Sequence, residues 1–458
     1  MSRGVVAALK HIQLERGTVR GLRVHVLPTE QFKTFAISVY IGCPLKEDTV
    51  TPTALIPFVL RRGSRAYPET KQFRERLDDL YGAGFGFDVY KRGDYQMVQF
   101  RMDVIQDDFV SSKESLLSQA LQFLGEAVTQ PAMDADRLRA KYIESEKTTV
   151  QKRLEAIVND KIRYAAERCI AEMCKEEPYR LHPLGRIEDL AAIDSELLTN
   201  RYRQWLAQAP IDVYVVGNTS LSQVLPLIER SFQLGDSRGT AQPGYALKAE
   251  HRQVTKVNEV VERLDLNQGK LNMGLRIPTS YGDDSYPAAL MYNGILGGYP
   301  HSKLFTNVRE KASLAYYASS RLDGHKGILT IQSGIEIGNY EKAVQIIKDQ
   351  LQAMKDGQIN DTELQQTKAM ITGHLRELQD SAFELIAFDF NNRLSGAERT
   401  VPKLIEAVEQ TTPADIQRIA RQTELDTIYF FNRQQRGTIN ANDPLPASQG
   451  NALQRAAS

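Results

Sequence analysis

Histidine and cysteine, the residues behind most metal and nucleophilic sites, are scarce. Seven histidines are spread over 458 residues, and the two closest, His11 and His25, stand 14 positions apart. No helix can therefore present two imidazoles at the spacing of three to five that a local zinc motif needs. The three cysteines, Cys43, Cys169 and Cys174, are too few and odd in number for a disulfide framework, which points to a reducing compartment. Cys169 and Cys174 miss a CxxC spacing and read as buried helix residues. Neither a GxSxG elbow nor a GxxxxGK phosphate loop occurs. No stretch approaches the roughly 18 apolar residues of a membrane helix. The opening run Val5–Leu9 has about five apolar residues where a signal peptide needs roughly seven. A cytoplasmic location is expected. Charge of one sign is missing too: 57 basic residues balance 57 acidic ones, so neither nucleic acid nor an anionic membrane is an expected partner.

What is present fits a globular protein, with 42% hydrophobic and 25% charged residues. Its length calls for two domains. Strand patterns cover Gly21–Leu27 and Phe35–Ile41, followed by helical patterns at 51–61 and 70–80 and strands at 84–91 and 96–104. Long helical patterns fill 109–127 and 134–174, and Ile211–Gly217 reads as a buried strand. From residue 253 the order repeats: strands at 253–264 and 270–277, helices at 284–295 and 301–311, strands at 314–322 and 327–335, helices at 339–356 and 360–393. Ala132–Leu138 aligns with Gln358–Leu364 at an offset of 226. A repeat this long means duplicated domains, since solenoid units span roughly 20–50 residues. The division is 1–234, a linker at 235–250 containing Gly235, Gly239, Pro243 and Gly244, a second domain at 251–435, and a polar tail at 436–458 expected to be disordered. The fold class is α+β, each domain a mixed or antiparallel sheet covered by long helices.

Two stretches carry a resemblance to a known family. The run from Asn293 to Tyr316, with Gly297-Gly298, Lys303-Leu304-Phe305, Val308-Arg309-Glu310-Lys311 and Leu314-Ala315-Tyr316, resembles the C-terminal domain signature of the insulinase-type (M16) zinc metallopeptidases, which include the mitochondrial processing peptidases. Phe35 to Cys43 and Thr53 to Ser64 resemble that family's first-domain strand and catalytic helix, and Val215-Val216-Gly217-Asn218 its closing strand. Leu80 to Phe85 and Val89 to Gln96 look like the bacterial YmfF-like subgroup. Its members lack the zinc motif and accompany a YmfH-like member that has it.

The resemblance implies a metallopeptidase M16-type fold and a degenerate site. Active members carry HxxEH, two zinc-binding histidines and a glutamate acting as general base. Those positions fall here on Ala54, Phe58 and Pro57, none of which binds metal or takes a proton. The third ligand falls on Glu146, which alone will not hold zinc and reads as a solvated or ion-paired helix residue. Pro57 inside a helix costs roughly 3 kcal/mol and predicts a kink or a late start. No metal or cofactor is therefore expected on this chain, and zinc is expected on the partner.

Active members also use an arginine and, seven residues on, a tyrosine of the second domain to grip substrate; Arg309 and Tyr316 keep that spacing. Without the surrounding signature they would read as an exposed helix-end arginine and a core tyrosine, and Tyr317 is the other occupant of the tyrosine role. The implied function is a non-catalytic subunit that pairs with a zinc-bearing, YmfH-like paralogue around a peptide chamber, with peptide bound as an added strand. The alternatives are a structural scaffold and a stand-alone peptide-binding protein.

Overall fold

The computed structural model describes residues 13–111, 114–235, 244–245, 247, 251–264 and 268–433. Most of the 235–250 linker and all of the 436–458 tail lie outside the described residues.

The first half runs β1 (Glu15–Val19), β2 (Leu22–Pro28), β3 (Thr34–Pro44), α1 (Val50–Leu60), α2 (Thr70–Asp79), β4 (Gly84–Arg92), β5 (Tyr95–Ile105) and α3 (Leu116–Thr129). A short hairpin, β6 (Met133–Asp134) and β7 (Arg137–Leu138), leads to α4 (Ala140–Asn159), α5 (Lys161–Met173), α6 (Ile187–Leu190), α7 (Ser195–Gln208), β8 (Ile211–Gly217) and α8 (Leu221–Ser231). The second half runs β9 (Asn258–Leu264), β10 (Gly269–Arg276), α9 (Tyr286–Asn293), π-helical turns over Gly294–Gly298 and Phe305–Lys311, β11 (Ala315–Asp323) and β12 (Ile328–Ile335). It closes with α10 (Tyr340–Lys355), α11 (Asp361–Glu377), α12 (Ala382–Leu394), α13 (Val401–Gln410), α14 (Pro413–Gln422) and β13 (Glu424–Arg433).

The two large sheets share one topology. The first has strand order β1-β2-β8-β3-β5-β4 and the second β11-β12-β10-β13-β9. Read from the opposite edge, the second matches the first without β1. The single parallel pair falls at the same place in each, β2 with β8 and β9 with β13, and the other main pairs are antiparallel. Each is thus a mixed sheet with helices on it, the α+β class expected.

Both faces of each sheet are covered, and the second layer comes from the other half. Along β3, Ile37, Val39 and Ile41 point into the core under the first half's own helices. Ala36 and Tyr40 alternate onto the opposite face, where Leu385, Ile386 and Phe390 of α12 meet them. Tyr40 and Phe390 stack at 3.8 Å. In return α5 of the first half lies on the second sheet, with Ala165 and Cys169 against Tyr429 and Phe431 of β13. A Cβ on Gly274 of β10 would stand 2.5 Å from Met173 Sδ, so glycine there permits the close approach. Ion pairs cross the same seam: Arg16 with Asp389 at 2.6 Å, Lys326 with Asp94 at 2.8 Å, and Arg276 with Glu177 at 2.6 Å.

This exchange explains where the expected long helices break. The pattern at 134–174 is a hairpin and two helices, divided at Asp160, whose carboxylate accepts hydrogen bonds from the N–H groups of Ile162 and Arg163 and so caps α5. The pattern at 360–393 divides at Leu378–Asp380, and Ser381 caps α12. In each case the second piece is the one that crosses to the other half. The helix expected at 109–127 starts at Leu116, because Ser115 supplies the cap, and the strand expected at 253–264 begins at Asn258.

Candidate functional site

Helix α1 is apolar apart from Thr51 and Thr53, whose hydroxyls are taken by Asp189 and Arg201, and each of its eleven residues is buried. It starts at Val50, well before Pro57, and continues through it to Leu60, with Arg61 N–H donating to the Pro57 carbonyl. Of the kink or late start expected from Pro57, the late start does not occur; burial on every side offsets the cost of the missing backbone hydrogen bond. Ala54 and Phe58 are fully buried.

Around this helix the family's metal position is filled with carbon and arginine. Phe58 packs edge-to-face on Phe87 of β4 at 4.8 Å. The Arg61 guanidinium lies 5.7 Å from the Phe58 ring centre and that of Arg153, on α4, lies 4.8 Å from it. Glu146, also on α4, is 1% exposed. One of its carboxylate oxygens accepts from Arg61 at 3.2 Å, and the other is 3.4 Å from Arg62. The two arginines that directly follow α1 thus supply the positive charge that neutralises Glu146. Zinc requires nitrogen, sulfur or oxygen ligands at tetrahedral positions; a methyl, a proline ring, a phenyl ring and an already paired carboxylate do not fit it. Among the described residues no group of three or more His, Cys, Asp or Glu is placed to hold a metal ion.

A cavity of about 400 Å³ opens beside this cluster, with Phe58, Phe87, Arg153, Ile157, Arg163 and His182 on its wall. Burial pushes the His182 imidazole down to about 4, outweighing the nearby Glu167 charge. Its Nδ1 accepts from Leu184 N–H at 3.1 Å, which places the proton of the neutral ring on Nε2.

The second-half pair sits in a different setting. Arg309 is exposed on the π-helical turn Phe305–Lys311, its guanidinium 4.5 Å from the Phe305 ring centre. Tyr316 is 57% exposed. Neither side chain makes a hydrogen bond or ion pair to a described residue. The backbone between them departs from regularity three times. After the π-helical turn, Ser313 is left-handed at φ 51°, a conformation that costs a non-glycine residue about 1–2 kcal/mol. Tyr316 is then the extra residue of a β-bulge: Ala315 faces Ile335 and Tyr317 faces Gly334, leaving Tyr316 without a cross-strand partner. The bulge lies on β11, an edge strand. Irregular backbone of this kind concentrates where side chains are aimed for function.

Tyr317 is committed elsewhere. Its ring lies over Gly334, where an added Cβ would come within 2.4 Å of it, and burial, with the Asp160 charge, raises its hydroxyl to about 12. Gly297 is a packing position, since a Cβ there would meet Ser320 N of β11 at 2.6 Å. Ala54, Pro57 and Phe58 lie on α1, and Glu146 lies on α4, which packs beside it. Sequence reasoning missed Arg61, Arg62, Arg153 and Phe87 as parts of the cluster, and the adjacent Arg61-Arg62 pair one turn past Phe58 was the signal available.

Comparison with known proteins agrees with this geometry. Residues 192–371 match the family model described as the peptidase M16 inactive domain. The chain is 38% identical over 412 residues to the probable inactive metalloprotease YmfF of Bacillus subtilis (strain 168), covering 90% of this chain and 96% of that protein. A conserved protein from Enterococcus faecalis V583, known from a crystal structure, superposes with a TM-score of 0.85 at 31% identity over 92% of this chain and 99% of that one. The peptidase M16 inactive domain from Pseudomonas fluorescens shares the fold, with a TM-score of 0.75 at 16% identity over 93% and 99% of the two chains. The chain belongs to the peptidase M16 family, as one of its inactive members.

Proposed function

We propose that this chain is the non-catalytic subunit of a heterodimeric M16-type peptidase, giving Arg309 and Tyr316 to a peptide chamber shared with a zinc-bearing, YmfH-like paralogue in the cytoplasm. The observation that carries the reading is a contrast. The positions of the zinc motif are packed and charge-paired, whereas Arg309 and Tyr316 are exposed, make no hydrogen bond to a described residue, and flank the left-handed Ser313. Structural needs account for the first group and leave the second unexplained. No helix among the described residues is long and apolar enough to cross a membrane.

In this reading the partner supplies the metal, its water and the general base. Arg309 donates two hydrogen bonds from its planar fork to a peptide carbonyl or carboxylate. The Tyr316 hydroxyl donates to the oxyanion that develops at the scissile carbonyl, an interaction strongest in the transition state. Sharing the site in this way gives one subunit the freedom to lose its metal ligands.

The test is reconstitution of the chain with a paralogue carrying HxxEH. The double variant Arg309→Ala, Tyr316→Phe is expected to assemble with the partner as the wild type does, because both side chains are exposed. Peptidase activity of the pair is expected to fall by about a hundredfold or more, the scale for losing an oxyanion donor. Unchanged activity would assign this chain a scaffold role instead.

A further inference from the structure

The cavity over Phe58 and Phe87 has a physical character that the loss of zinc does not require. Its floor is aromatic, and Ile157 adds apolar wall. Two guanidinium groups line it, those of Arg153 and Arg163, and neither has an acidic partner among the described residues. Arg153 lies over the Phe58 ring at 4.8 Å, a contact that holds its guanidinium at the cavity mouth although the residue is exposed to water. Asp88 on the wall is engaged 2.5 Å from Arg101, and Glu167, whose charge reaches His182, forms no ion pair with Arg153 or Arg163 among the described residues. The Glu146 carboxylate behind α1 is taken by Arg61 and Arg62. His182 adds a neutral ring whose Nε2–H has no partner among the described residues. The wall therefore offers two unpaired cations and a neutral donor above an apolar floor.

We propose that this cavity is a peptide subsite for a carboxylate beside an apolar side chain: the apolar group rests on Phe58 and Phe87, and Arg153 and Arg163 take the carboxylate. The residue that replaced a metal ligand thus becomes the floor of a binding pocket, and the charge preference is for anionic peptide. Bidentate guanidinium geometry suits a planar carboxylate. The carboxylate has two sources, a peptide C-terminus or an internal Asp or Glu side chain. The inference does not depend on the pairing with a paralogue, because this pocket is in the first half and Arg309 and Tyr316 are in the second.

The experiment is fluorescence anisotropy of the full chain alone with labelled Leu- and Phe-containing peptides in four versions: C-terminal acid or amide, and internal Glu or Gln. At least one acidic version is expected to bind about tenfold more tightly than the acid-free peptide, with a preference that shrinks in high salt. Dependence on the C-terminal acid identifies a chain end as the occupant, and dependence on the internal Glu identifies a side chain. The double variant Arg153→Gln, Arg163→Gln alters only exposed side chains, and it should erase the preference while leaving the Trp205 emission spectrum unchanged. Equal binding of all four peptides, no binding of any, or a preference that survives in the double variant would each overturn the proposal.

Discussion

Glu146→Gln separates a structural carboxylate from a vestigial metal ligand. The side chain is 1% exposed and faces Arg61 at 3.2 Å and Arg62 at 3.4 Å, whose side chains are 36% and 29% exposed. A hydrogen bond to a charged group in a buried setting contributes about 1.5–3 kcal/mol. Both guanidinium groups keep water, so each contact is discounted to about 0.5–1 kcal/mol. Glutamine preserves shape and one acceptor, which gives a total loss of about 1–2 kcal/mol. Arg61→Gln should cost less, since Glu146 keeps Arg62. The assay is built into the chain. Its one tryptophan, Trp205, is buried in α7, and α7 packs on α1, so emission during heating follows the half that contains Glu146. For a unit of about 200 residues each kcal/mol moves the midpoint by about 2–4 °C, giving a drop of roughly 2–8 °C. Excess zinc or chelator should leave the wild-type midpoint in place, because a ligand that binds the folded state raises it by mass action. An unmoved midpoint in Glu146→Gln, a larger loss in Arg61→Gln, or a rise with zinc would refute the reasoning.

Two further predictions concern stability. Burial holds both His182 and His325 at about 4, against an ordinary 6.5; the unfolded chain therefore takes up protons first, and stability present above pH 6.5 is lost as pH falls toward 4. At pH 5 each costs about 2 kcal/mol, so urea midpoints should fall from pH 7 to pH 5, and His182→Gln should reduce the fall; equal midpoints at the two pH values would contradict this. Phe390→Ala removes the ring stacked on Tyr40 and should cost about 3–5 kcal/mol. Because that ring belongs to one half and its pocket to the other, Trp205 emission and overall circular dichroism should then cease to unfold together, and coincident curves would show that the exchange of helices does not couple the halves.

The duplication was legible in the sequence because strand and helix periodicity survive divergence, as Phe35–Ile41 and its later counterpart around Leu271–Leu275 show. What stayed hidden was the exchange. A residue such as Cys169 or Phe390 carries the same apolar signal whether it faces its own sheet or another, so periodicity fixes that a face is buried without saying against what. Asp160 and Ser381 were readable as caps, yet a cap inside a long amphipathic run is outvoted by the run unless the partner surface is known.

The degenerate motif was legible for a chemical reason. Imidazole and carboxylate are either present at Ala54, Pro57 and Phe58 or they are not, and no packing restores them. Its replacement was less visible, because arginine after a helix is ordinary at a C-terminal end, where the dipole favours it. Only the fold brings α4 alongside α1, and with it Glu146 to Arg61 and Arg62. The same limit applied to Arg309 and Tyr316. Their spacing of seven is a fact of sequence, but the bulge that frees Tyr316 depends on the register of β11 against β12, which no local pattern specifies. Without metal ligands the motif position has no need of polar groups, and Phe58 packed on Phe87 occupies it. Nothing in packing demands that the second half keep an exposed tyrosine on a bulged edge. Packing alone leaves the exposure of Tyr316 on its bulge without a structural partner, and it is this exposure that the paired variant at Arg309 and Tyr316 tests.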